Sequence, residues 1–162
     1  MIRQLAKTIP FMRLLACLPG IAALLGACAA PRLEPVDLAE AGWRVWTGQA
    51  TWRRHRDAAA IAGDLIVARH DDNRRFVAFT KPPVSILSGV QLVSGWRLDY
   101  AIANRAQGGR GKAPHRVVWF RLPEVIEHAT DPPGWTVERH GATEIIVTRT
   151  QTGERVRMLL DG

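Results

Sequence analysis

The chain has 162 residues, enough for one domain and, once a leader is set aside, not comfortably for two. It holds 22 Lys and Arg against 15 Asp and Glu, but residues 1–27 carry Arg3, Lys7 and Arg13 and no acid, so the remainder stands at 19 against 15, or +4. That surplus supports a weak pull toward anionic headgroups or acidic partners and makes no case for nucleic acid; two cysteines exclude a disulfide framework.

The first element is a leader. A basic start is followed by "LLACLPGIAALLGA" (14–27), which has no charge. A basic n-region, a short apolar run and a small-residue exit describe a secretory signal. The run falls short of the roughly 20 residues a spanning helix needs, and Pro19 and Gly20 weaken it further as an uncut anchor. "LGAC" (25–28) resembles the lipobox of bacterial lipoproteins, better than the rival "LLAC" ending at Cys17, which has Arg13 close upstream. That resemblance implies cleavage before Cys28 and acylation of Cys28 with palmitate-type chains. With Ala29 rather than Asp after it, the lipoprotein would be anchored in the outer membrane, on its periplasmic face. Cys17 would leave with the leader. Several acyl chains, at about 0.8 kcal/mol per buried CH₂, make such an anchor effectively stable.

Residues 28–42 read as a tether, "AAPRLEPVD", with a short helix at Leu38–Ala41 capped by Asp37 and closed by Gly42. From Trp43 the pattern predicts strands at 43–54, 59–70, 75–81, 84–93 and 95–102, joined by polar turns or by Pro82-Pro83. "NRAQGGRGKAP" (104–114) is poor in apolar residues and reads as a long mobile loop. "PHRVVWFRLPEVIEHA" (114–129) has helical spacing interrupted by Pro123, which predicts one short helix before it and leaves open whether a second follows it. Strands resume at 134–140, 142–150 and 154–161. The expectation is a mostly β domain over 43–162: a single curved antiparallel sheet of about eight strands, an incomplete β-barrel, with one or two short helices over its open side.

Catalytic and metal motifs are missing from the pattern. His55, His70, His115, His128 and His140 show no zinc spacing, and "HDD" (70–72) reads as a solvated turn. No G-x-S-x-G occurs, and "GGRG" (108–111) lacks the strand–helix context of a phosphate loop. Neither an enzyme nor a bound cofactor or metal is expected. The outstanding feature is six tryptophans, Trp43, Trp46, Trp52, Trp96, Trp119 and Trp135. They serve as core or as the lining of an apolar concavity, since one short helix cannot cover a whole sheet face.

Taken in order, "WTGQATWRR", "IAGDLIVARHDDNRRFVAFTKPP", "VVWFRLP" and "GWTVERHGATEIIVTRTQTGERVRMLL" resemble the successive pieces of the LolA/LolB lipoprotein-localisation superfamily, nearer to its outer-membrane lipoprotein branch though shorter. The resemblance implies an open half-barrel that takes lipoprotein acyl chains without covalent chemistry, a soluble LolA-like carrier as partner, and a monomer. Parity and size nominate Trp46, Trp52, Leu65, Val67, Phe79, Ile86, Trp96 and Trp119 as the lining. The membrane-facing loop of that family, which carries a protruding leucine, falls here on Pro83 and Val84. A second expectation is an accessory lipoprotein with a self-filled sheet, docking a periplasmic partner through Arg105, Arg110, Lys112 and Arg116. A filled interior favours that second reading, and an open apolar groove the first.

Overall fold

The computed structural model describes residues 35–128 and 131–162. The leader, Cys28 and tether residues 29–34 lie outside the described residues. The rest is mostly β: a single antiparallel sheet of nine strands with one short helix, not closed into a barrel. The strands are β1 (Trp43–Arg53), β2 (Ile61–His70), β3 (Arg75–Lys81), β4 (Val84–Gln91), β5 (Gly95–Tyr100), β6 (Arg105–Arg110), β7 (Trp135–His140), β8 (Glu144–Arg149) and β9 (Arg155–Leu160). Their spatial order is β6-β5-β4-β3-β2-β1-β9-β8-β7. The chain is therefore two meanders, β1–β6 and β7–β9, joined by the ladder of β1 on β9 from Gly48↔Leu160 to Arg53↔Arg155.

Period-two alternation sorts the side chains as the pattern predicts. Ala50 and Trp52, Leu65 and Val67, Val77 and Phe79, Trp96 and Leu98, Ile145 and Val147, and Val156 and Met158 all bury on one face. Between β3 and β4 the register shifts at Phe79/Thr80, and Ile86 is the extra residue of that bulge, itself 2% exposed.

The buried face is covered by the described part, residues 111–128 and 131–134, of the connection between the two sheet edges; we call this connection the strap. It contains a 3₁₀ turn, Val118–Arg121, running directly into helix α1, Leu122–Glu127, with Pro123 in its first turn. The two short helical pieces thus meet between Arg121 and Leu122, and Pro123 falls in the first turn of α1, where a missing N–H costs nothing. Val118, Trp119, Phe120, Leu122 and Val125 are buried against the sheet. Gly89 of β4 makes this approach possible: a Cβ there would lie 2.9 Å from Phe120 Cζ and 2.6 Å from Leu98 Cδ1.

Polar contacts pin the strap along its length. Arg75, only 4% exposed, donates to the Phe120 carbonyl and pairs with Glu124; Arg69 pairs with Glu127, and Arg139 donates to the Val125 carbonyl. Burial pulls the Arg75 guanidinium below its ordinary value, against the opposing pull of Glu124. At the strap's start the Gln91 side chain accepts from Ala113 N at 3.1 Å; further along, Trp135 Nε1 donates to the His115 carbonyl at 3.1 Å.

Two sequence expectations are corrected. The stretch 104–114 is not a free loop, because Arg105–Arg110 forms the edge strand β6 on β5. An edge strand exposed on both faces needs no apolar alternation, which is why the pattern hid it. Its Gly109 lies opposite Trp96, whose ring covers the position a side chain would take. The count of strands is accordingly nine rather than eight. Leu38–Ala41 forms turns instead of a helix. Asp37 does accept from Ala39 N at 2.9 Å, but four residues closed by Gly42 at φ +98° cannot propagate a helix.

Candidate functional site

The eight nominated lining residues are brought together, but as a packed interior. Leu65, Val67, Phe79 and Ile86 are at most 2% exposed, and Trp46 is half-buried at the margin of the same cluster. Trp119 stacks on Phe79 at 5.9 Å and meets Trp52 edge-on at 5.5 Å, while Phe120 meets Trp96 edge-on at 6.1 Å. The strap thus supplies the rings that fill the sheet face, leaving no open apolar groove along it.

Several pockets are found among the described residues, and the one that combines aromatic rings with clustered charge lies at an end of the sheet, with a volume of about 240 Å³. Trp52, Tyr100 and Trp119 form its aromatic part, and Trp52 and Tyr100 stack at 6.0 Å. Four cations line it: Arg54 after β1, Arg105 of β6, Arg116 of the strap and Arg149 of β8. Glu154, in the turn before β9, is the one carboxylate. Residues from β6 and from the β8–β9 turn share this pocket although those strands stand far apart in the sheet order, so the sheet bends round to bring them there.

The electrostatics follow from burial. Glu154 accepts from Trp52 Nε1 at 3.1 Å. Burial pushes its carboxyl above the ordinary glutamate range, against the lowering effect of that hydrogen bond and of Arg149 and Arg54. Burial also pushes the Tyr100 hydroxyl up to about 12, with Glu154 adding to the rise. Both groups are held in their neutral forms more firmly than in water.

The pocket unites parts of two sets that the sequence kept separate. Trp52 and Trp119 come from the apolar list, Arg105 and Arg116 from the basic list. Arg110 and Lys112 lie elsewhere, in β6 and just beyond it. Arg54, Tyr100, Arg149 and Glu154 were missed. Each sits at a strand end or turn, with no local signal, and they meet only through strand register. Pro83 and Val84 stand exposed where β3 turns into β4, Val84 at 53%, and the Pro82–Pro83 peptide is cis.

The "HDD" stretch forms a turn in which His70 contacts the Ala41 carbonyl at 3.0 Å and Arg74 pairs with Glu40 at 2.8 Å. Among the described residues no cluster of three or more His, Cys, Asp or Glu is placed to hold a metal ion. No helix among them is long and apolar enough to cross a membrane. No protein-family model matches the chain, and no curated protein matches it.

Proposed function

We propose that the protein is a lipid-anchored binding module of the LolA/LolB type. In this reading Cys28 holds it to the periplasmic face of the outer membrane, a LolA-like carrier delivers to it, and its half-barrel takes one acyl chain of a lipid or lipoprotein. The observation that supports this reading is the division of labour in the fold. A broad, bent, apolar sheet face is covered by a single strap, and strap residues Arg116–Trp119 pass beside a pocket with aromatic walls.

The energetics of exchange are close to balanced. The 240 Å³ pocket is smaller than the roughly 300–1,000 Å³ of small-ligand sites, so a chain must displace strap side chains to enter. Lifting Trp119, Phe120, Leu122 and Val125 off the sheet costs about 1.5–3 kcal/mol for each. An acyl chain of about 15 methylenes brings about 0.8 kcal/mol for each one buried. Near-equality of the two is what a module that must also release its cargo requires, and no bond is made or broken. Val84, exposed beside Pro83, is the apolar group this reading turns toward the membrane.

The test is titration of the purified full chain, held in phosphatidylcholine nanodiscs, with a fluorescent C16 fatty acid. Saturable binding at about one chain per protein, competed by a triacylated lipopeptide, is expected. A titration no steeper than that of empty nanodiscs sinks the reading.

A second reading, an accessory lipoprotein docking a periplasmic partner, is the one that the filled interior favours, and it draws also on β6 as a free edge bearing Arg105 and Arg110. It expects a salt-sensitive pull-down of one protein that Arg105→Gln/Arg110→Gln abolishes, with Lys112 and Arg116 contributing. Retention of that pull-down by the double variant counts against it.

A further inference from the structure

The pocket beside strap residues Arg116–Trp119 carries more charge than an acyl chain calls for. Arg54, Arg105, Arg116 and Arg149 line it with one carboxylate among them, Glu154. Among the described residues none of these four arginines forms an ion pair, a state they share with Arg53, Arg56, Arg110, Arg139 and Arg155, but these four meet in one pocket. The one carboxylate is already engaged by Trp52 Nε1.

A second, independent observation points to an absent acceptor. Trp119 lines the same pocket, is 1% exposed, and its indole N–H has no hydrogen-bond partner in the structure. An unmet buried donor costs roughly 1–3 kcal/mol. Trp52, the other indole of the pocket, has its partner in Glu154, so within the pocket the unmet indole is that of Trp119; Trp43 Nε1, outside it, is unmet as well.

We infer that this pocket seats the anionic end of a single-chain amphiphile. The phosphate or carboxylate sits among Arg54, Arg105, Arg116 and Arg149 and accepts the Trp119 N–H, and the chain leaves along the Trp52–Trp119 wall toward the sheet face. This rests on the acyl-chain reading and adds the headgroup class to it. The chemistry is the one that oxyanions need: several planar donors and a neutral N–H converging on an acceptor-only group in a partly desolvated site. Arg54 and Arg149 remain over the Trp52 and Trp135 rings, at 5.9 and 5.8 Å, which pre-orders both guanidinium groups before the ligand arrives.

The experiment uses the full chain in phosphatidylcholine nanodiscs and reads tryptophan quenching by chain-brominated amphiphiles. Three probes are compared: lysophosphatidic acid, the neutral monoacylglycerol with the same chain, and inorganic phosphate as competitor. Lysophosphatidic acid is expected to quench at a concentration at least about tenfold lower than the monoacylglycerol. Arg105→Gln/Arg116→Gln should erase most of that ratio, chiefly by raising the lysophosphatidic acid midpoint. Trp119→Phe, which removes the N–H and keeps an aromatic ring, should reduce the ratio about fivefold. Should the arginine variant fail to fold, the Trp119→Phe arm decides alone.

Equal midpoints for the charged and neutral probes overturn the anionic seat while leaving the acyl-chain reading intact. No quenching by either probe overturns both. Displacement by inorganic phosphate at the same concentration as by lysophosphatidic acid identifies a free-anion site and overturns the amphiphile.

Discussion

Gly89 sets how close the strap can come to the sheet. A methyl group there would press on Leu98 Cδ1, Phe120 Cζ and Val77 Cγ1, at 2.6, 2.9 and 3.0 Å. Gly89→Ala is therefore expected to destabilise the domain by about 1–3 kcal/mol, read from urea midpoints. Glu154 offers a test with a sign. Burial raises its folded-state pKa above the unfolded value of about 4.3, so the folded state holds that proton to higher pH than the unfolded state does. Its contribution is then most favourable to folding below the unfolded pKa and is lost as pH rises through the folded one. Glu154→Gln keeps an acceptor for Trp52 Nε1 and removes the ionisation. The variant should gain on the parent between acidic and neutral pH and match it at pH 3, in paired denaturation curves. A constant difference across that range would refute the burial argument.

At the scale of elements, the strap behaves as a unit because one arginine serves both its helical pieces. Arg75 reaches the Phe120 carbonyl of the 3₁₀ turn and Glu124 of α1. Arg75→Met leaves that buried carbonyl unmet, at about 1–3 kcal/mol. Faster amide exchange in residues 118–127, with β1 and β2 little changed, is the expected pattern. The pattern of apolar residues found most of the sheet. Eight strand positions followed from alternation, from polar turns such as 70–75, and from Pro82-Pro83. It could not find β6, whose "RAQGGR" carries no apolar alternation because neither face enters the core. The pocket was half legible. Trp52 and Trp119 stood out by size and Arg105 and Arg116 by local charge, but only register places Arg149 and Glu154 beside them.

On the scale of the whole molecule, β1 is the keystone: it pairs with β2 along nearly its full length and with β9 over its second half. The two meanders cannot unfold separately without opening that ladder. Met158 of β9, fully buried, is a suitable probe. Met158→Ala should cost about 2–5 kcal/mol and lower the melting temperature by roughly 5–15 °C, in one transition seen alike by far-ultraviolet dichroism and tryptophan emission. Two separate transitions would show that β7–β9 holds together without β1. The convex face also has Arg53 directly opposite Arg155, a like-charge cross-strand pair that added salt should relieve.

Residues 111–134 connect β6 to β7, and those strands are the two free edges of the sheet. Strap and sheet therefore relate as string and bow. Pinned along the sheet face by Arg69, Arg75 and Arg139, the string holds the limbs drawn together. It goes slack only if the limbs curl further, and any flattening tightens it onto the face it covers. In the proposed acyl-chain reading, admission of a guest and curvature of the sheet then form a single mechanical coordinate. A few glycines inserted after Lys112 would cut that coupling, letting the string lift while the bow keeps its shape.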